Sequence, residues 1–341
     1  MKHIEVNDEI LDWASDFRED LRKVVPGYEA PLDRLEDLRR FVQNDAQRES
    51  YVQEIINQWQ NLIVATPDTF VGIESDFKKK VGNIDLEKKV TITVHDKNNQ
   101  QKSQTLPFYE AIVWAMRYDR VQSHIYPKYM RLLGIRTCVY CNAQYAFSVE
   151  GDQGYQNYDL DHLLPKSKYP YLSTSFFNLQ PSCPTCNRKK GKKDIRDGEK
   201  RFHLFVQPGT PFAPTSFKID DESLVKFLLS PDKDAEQLKI LFSCDDAALE
   251  RMFNRFFKIR TLYQAHKDVA EELIWKQQIY NEAYQKAFRY QFRKLGFKES
   301  DFKRFILGNY DTVENSHKRP LSKMTQDIAE QLHIIEKSQQ K

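Results

Sequence analysis

Four of the five cysteines fall in two C-x-x-C pairs, Cys138/Cys141 and Cys183/Cys186; the fifth, Cys244, stands alone in "LKILFSCDD". Short knuckles of this kind let two thiolates reach one ion without strain. Two of them make the four-sulfur tetrahedral set that suits a closed, structural Zn²⁺ site. A mononuclear iron site of the same shape, or four unrelated core thiols, would use the same residues. A closed set leaves no position for water, so the clamp would hold the chain together and do no chemistry itself. Cys244 reads as a small boundary hydrophobe. Between the knuckles, "YDLDHLLP" places Asp159, Asp161 and His162, the two aspartates alternating around Leu160 as on a strand. Asn178 follows in "FFNLQPSC", and Asn187 comes directly after Cys186 in "CPTCNRKKG". Residues 188–201 then hold eight Lys or Arg against three Asp or Glu. Most charge runs are solvated faces. One that starts at Asn187 also suits phosphate-backbone contact of the salt-sensitive kind. Its candidate contacts are Arg188, Lys189, Lys190, Lys192 and Lys193, to which "PKSKYPY" could add Lys166 and Lys168.

The elements that must position these residues are mostly helical. In the first ~130 residues the apolar spacing predicts helices at "VNDEILDWASDF", "LDRLEDLRRFV" and "YVQEIINQWQNLIVA". Alternation at Val90, Ile92 and Val94 before an Asn-rich turn predicts a short hairpin. Helical spacing returns in "FYEAIVWAMRYDRVQSHIYPKYMRLLG", with Gly134 as its stop. Residues 136–200 replace periodicity with turns, cysteines, Tyr and Lys. From Asp245 to about Leu295 two aromatic stripes reappear at helical spacing, Phe253 to Tyr263 and Trp275 to Phe292; both read as helix-packing core. A last helix is expected from near Leu321. The expected division is a helical region over 1–135, a small α+β module over 136–200 and a second helical region over 201–341.

At 341 residues, 40% hydrophobic and 13% aromatic, the chain can bury a real core and is not of disordered composition. No apolar run approaches the about 20 residues a membrane span needs. The first residues carry no secretory pattern. The expectation is a soluble cytoplasmic protein with no membrane partner. A net charge of +3 argues nothing alone; with the rest of the chain near neutral outside the basic run, large-scale wrapping of nucleic acid is not expected.

The order C-x-x-C, D-H, N-L, C-x-x-C-N and a Lys-rich turn, over about residues 138–193, resembles the HNH nucleases, the ββα-metal endonucleases, in a form with a zinc ribbon. The resemblance implies a metal-dependent endonuclease. In it His162 is the general base, Asp161 and Asn187 bind a catalytic Mg²⁺ or Mn²⁺, and Asn178 orients the loop or the base. The third motif letter here is Asn rather than His, which makes an all-oxygen site and disfavours Zn²⁺ or Ni²⁺ there. Asp159 is a spare carboxylate. The resemblance favours DNA as substrate without excluding RNA. The alternative is a zinc module that binds nucleic acid or protein and has lost catalysis. Beyond the motif, "LDHLLPKSKYPYLSTSFFNLQPSCPTCN" and "LGNY…HKRPLSKMTQDI" are similar to HNH effectors of Septu-type and retron-linked anti-phage systems. That likeness implies an ATPase partner, docked on helices outside 136–200 such as those of 246–295.

Overall fold

A computed structural model describes residues 3–23, 28–95, 100–150, 155–194, 202–210 and 213–335. It is mainly helical, with five two-stranded sheets among the described residues. The N-terminal helices form where local signals agree. Asn7 caps Asp8–Arg22 by accepting from the Ile10 amide at 3.0 Å, and two acids follow in the first turn. Ile10, Ala14, Phe17 and Leu21 then bury one stripe. Pro31 opens Pro31–Phe41, and Asp45 caps Ala46–Ile63. The hairpin pairs Lys89–His95 with Gln101–Pro107, Ile92 opposite Gln104; its turn, 96–99, lies outside the described residues. Helix Phe108–Ala115 follows without a break. Helix Tyr126–Leu132 stops at Gly134, whose φ of 67° is open to glycine at little cost.

The cysteine-rich stretch is built from short pieces. Strand Asp159–His162 runs antiparallel to Leu179–Ser182, with Asp161 opposite Gln180 and His162 opposite Leu179. Helix Pro184–Lys190 follows at once, with the Cys183 sulfur accepting from the Cys186 amide at its start. After it, Phe205–Val206 pairs in parallel with Ile4–Glu5, and Thr215–Ile219 pairs with Ile240–Cys244. The last helix is Ser322–Gln331.

Buried side chains from all three stretches join in one continuous cluster. Phe17 sets its ring edge-on to Tyr129 at 5.3 Å and to Phe176 at 5.4 Å, joining the first helix to the loop beyond His162. The two C-terminal aromatic stripes behave differently. Phe253, Phe256, Phe257, Ile259 and Tyr263 are buried, though the helix is broken where Lys258 takes φ 57°. The second stripe is only half core: Trp275, Ile279 and Tyr284 are exposed, while Tyr280, Phe288 and Phe292 are partly buried against the core cluster. Tyr284 stacks on Phe288 at 4.7 Å, and Phe292 packs against Phe305 at 5.2 Å and the buried Phe302 at 5.6 Å, both on helix Glu299–Leu307. Periodicity correctly marks the amphipathic face but cannot say whether anything covers it. No helix among the described residues is long and apolar enough to cross a membrane.

Candidate active site

The four sulfurs of Cys138, Cys141, Cys183 and Cys186 lie within 4.8 Å of one another, and all four residues are buried. Zn–S bonds of about 2.3 Å in a tetrahedron need sulfurs roughly 3.8 Å apart, so the cluster fits a zinc ion with small adjustments. Burial pushes the Cys138 thiol well above its ordinary pKa, with the neighbouring sulfurs adding to the shift. A cation at the centre reverses that balance, because only thiolates ligate.

Asp159, Asp161, His162 and Asn187 line one groove of about 830 Å³. Its far wall is the hairpin and the helix after it, through Ile92, Gln104, Tyr109 and Trp114. His162 is buried, and its Nε2 lies 2.9 Å from the Ser173 carbonyl oxygen. A carbonyl only accepts, so Nε2 carries the proton and Nδ1 keeps its lone pair. Burial, then the Lys166 ammonium, lowers the imidazole pKa to about 3, which keeps the ring neutral. Tyr118 packs on it at 4.8 Å and donates its hydroxyl to the Leu160 carbonyl at 2.7 Å.

Asn178 is fully buried. Its Oδ1 accepts from the Leu164 amide at 2.7 Å, and its Nδ2 donates to the carbonyls of Leu164 at 3.2 Å and Leu172 at 2.9 Å. The side chain therefore braces the loop that carries Ser173. Asn187 sits on the helix after the second knuckle and donates Nδ2 to Asp159 at 3.0 Å. That bond turns the amide oxygen away from Asp159. Asp161 accepts from Lys190 at 2.9 Å on one oxygen and from the Tyr140 hydroxyl on the other. Burial pushes its carboxyl pKa up, opposed chiefly by the Lys190 ammonium. Oxygen donors from Asp161 and Asn187 on one groove are the hard set a small divalent cation takes, with water completing the shell.

The basic candidates separate. Lys166, Arg188 and Lys192 line the groove; Lys192 donates to the Tyr109 hydroxyl at 2.8 Å, and Lys166 stands 4.4 Å over the Tyr118 ring. Lys168, Lys189 and Lys193 are exposed outside the groove lining. Lys190 is not a surface residue. It is 0% exposed, paired with Asp161, and donates to the His162 carbonyl at 2.6 Å. Composition placed it with its neighbours, but the helix turns it inward. The end of the run, 195–201, lies outside the described residues. Tyr140 and the Ser173 carbonyl went unread in the sequence. Tyr140's position inside a knuckle was the available signal, and nothing local says that its hydroxyl reaches Asp161.

Comparison with known proteins bears on the same stretch. Residues 138–193 match the model of the HNH endonuclease family. The chain is similar to Septu protein PtuB of Bacillus thuringiensis, 40% identical over 59 residues. That alignment covers 17% of this chain and 21% of the relative. No solved structure matches the chain closely. With its four-cysteine cluster and its D-H strand beside Asn187, the stretch 138–193 carries the HNH family match within a mainly helical chain.

Proposed function

We propose that the chain is a metal-dependent endonuclease that hydrolyses phosphodiester bonds in DNA, with strands Asp159–His162 and Leu179–Ser182 and helix Pro184–Lys190 as its ββα-metal core. The observation that carries this is the fixed imidazole: His162 is held through Nε2 by the Ser173 carbonyl, on the groove that Asp161 and Asn187 also line. His162 Nδ1 takes a proton from water, the water oxygen bonds to phosphorus, and the bond to the leaving sugar oxygen breaks. Solvent protonates that oxygen, and the ring returns its proton to solvent. Asp161 and Asn187 would hold Mg²⁺ or Mn²⁺, which when bound neutralises charge on the phosphate and the leaving oxygen. Asn178 braces the loop behind the base. Lys166, Arg188 and Lys192 bind the substrate backbone along the groove, with Lys168, Lys189 and Lys193 on the approach.

The likeness to the Septu protein supports a role in anti-phage defence, in the cytoplasm where invading DNA is met. The ATPase partner is part of the same proposal. Its docking surface is the exposed part of Lys267–Ile279 and Glu282–Lys294, where Trp275, Ile279 and Tyr284 reach solvent. Plasmid cleavage with Mg²⁺ or Mn²⁺, wild type against His162→Ala, tests the enzyme. A loss of about 10²–10⁴-fold is expected, with zinc still bound. No cleavage by wild type, even with its partner present, sinks the enzyme reading. Full-rate cleavage by the chain alone, with no ATPase co-purifying, sinks the partner.

A further inference from the structure

The geometry points to a second task for the cysteine clamp: through Tyr140 and Lys190 it sets the position of the Asp161 carboxylate. Tyr140 lies between Cys138 and Cys141 and donates its hydroxyl to Asp161 Oδ2. Lys190 ends the helix that Cys183 caps and in which Cys186 sits, and it donates to Asp161 Oδ1 at 2.9 Å. Each half of the clamp thus sends one donor to a different oxygen of one carboxylate. All three groups are closed to solvent: Tyr140 is 1% exposed, Lys190 0% and Asp161 4%.

The donors are themselves fixed. The Tyr140 ring stacks on Phe257 at 4.3 Å and 16°, and sets its edge against Phe202 at 6.1 Å. The first knuckle is held from the same side, because the Tyr263 hydroxyl donates to the Cys141 carbonyl at 2.7 Å. Lys190 has a second bond, to the His162 carbonyl at 2.6 Å, which ties it to the strand end where the base sits. A carboxylate offers about four lone-pair directions. With one on each oxygen engaged, the carboxylate cannot rotate, and two directions are left over at a residue that lines the groove. Hydrogen bonds of this kind behind a ligating carboxylate are worth roughly 10–100-fold in cation affinity. Tyr140 and Lys190 are therefore positioning residues, and the clamp reaches the site through them.

This inference rests on the proposed reading of Asp161 as a cation ligand, so the experiment separates the two. Tyr140→Phe removes one oxygen and keeps the ring on Phe257. Full-length wild type, Tyr140→Phe and Asp161→Asn are compared for zinc content, for Mn²⁺ binding by electron paramagnetic resonance, and for the Mn²⁺ concentration giving half-maximal cleavage. Tyr140→Phe should keep its zinc, bind Mn²⁺ about 10–100-fold more weakly, and need correspondingly more for cleavage. Saturating Mn²⁺ should restore most of its rate. Wild-type Mn²⁺ affinity in zinc-loaded Tyr140→Phe overturns the inference alone. Wild-type affinity in Asp161→Asn overturns the ligand reading and the inference with it. If Tyr140→Phe fails to hold zinc, Phe257→Leu decides, since it loosens the ring without touching Asp161. A zinc-loaded Phe257→Leu should bind Mn²⁺ several-fold more weakly, and wild-type affinity there also overturns the inference.

Discussion

Asn178→Ala should cost both stability and rate, through the loop rather than through the substrate. The side chain makes three bonds where solvent does not reach. Alanine orphans the Leu164 amide, whose partner at 2.7 Å is the Asn178 oxygen. An unsatisfied buried donor costs about 1–3 kcal/mol. The two carbonyls lose less, because each has a second lone pair and Leu172 still accepts from the Ser175 amide at 3.2 Å. The sum is about 2–4 kcal/mol. Ser173 lies on the same loop and its carbonyl orients His162. Loosening that loop by an ångström costs about 10²-fold in rate. Urea unfolding of the zinc-loaded proteins should show a lower midpoint at unchanged slope, and single-turnover cleavage should slow. Asn178→Asp keeps the acceptor for Leu164 but turns an oxygen toward the carbonyls of Leu164 and Leu172, so it should be at least as damaging. An Asn178→Ala protein that unfolds at the wild-type midpoint yet has lost cleavage would refute the brace and place Asn178 against the substrate.

Breaking the clamp should remove activity without touching a groove residue. Cys186→Ser should bind less than one zinc per chain by atomic absorption, lose much of the order of 10 kcal/mol that such a site lends to folding, and not cleave. On the groove, Lys192→Ala and Arg188→Ala should each weaken binding to duplex DNA and flatten the slope of log affinity against log salt by about 0.9. Lys190→Ala should behave differently, because it strands the Asp161 charge in the interior at about 3–5 kcal/mol. A Lys190→Ala protein of wild-type stability with a flattened salt slope would contradict its placement.

Lys190 also shows what was legible in the sequence and what was not. Cys183, Cys186 and Lys190 stand at spacings of three and four, one face of a helix. That face packs toward strand Asp159–His162, which is why Lys190 points in while Arg188 and Lys189 point out. The periodicity was present in "CPTCNRKK", but counting charge hid it. Local signals did carry the capped helices, the hairpin, the strand under Asp159 and Asp161, and the four-sulfur cluster, because each depends on spacing within a few residues. The aromatic face at Trp275 to Phe292 reads as core and is so only in part, Phe288 and Phe292 lying against the cluster and Trp275 and Tyr284 exposed, because burial depends on what lies opposite, which no local pattern records.

The same reason explains why the matched stretch does not end where the sequence signal ends. Asn142, just after the first knuckle, takes φ 52°, and its side chain bonds the Ser316 carbonyl at 2.8 Å and the Lys323 amide at 3.1 Å. Its own carbonyl accepts from the Leu321 amide at 2.6 Å, and the Arg136 amide donates to the His317 carbonyl at 2.8 Å. A knuckle needs its backbone groups satisfied, and here residues 316–323 supply that. "HKRPLSKM" is thus a structural part of the cysteine-rich stretch, although it lies more than 120 residues further along the sequence. Contiguous sequence signal finds the cysteines, Asp161, His162 and Asn187, while the partners that hold the first knuckle and Tyr140 stiff arrive from 257, 263 and 316–323. A fragment cut at 138–193 would keep every motif residue and lose the contacts that fix the first knuckle, and with them the Phe257 packing that aims the Tyr140 hydroxyl at Asp161.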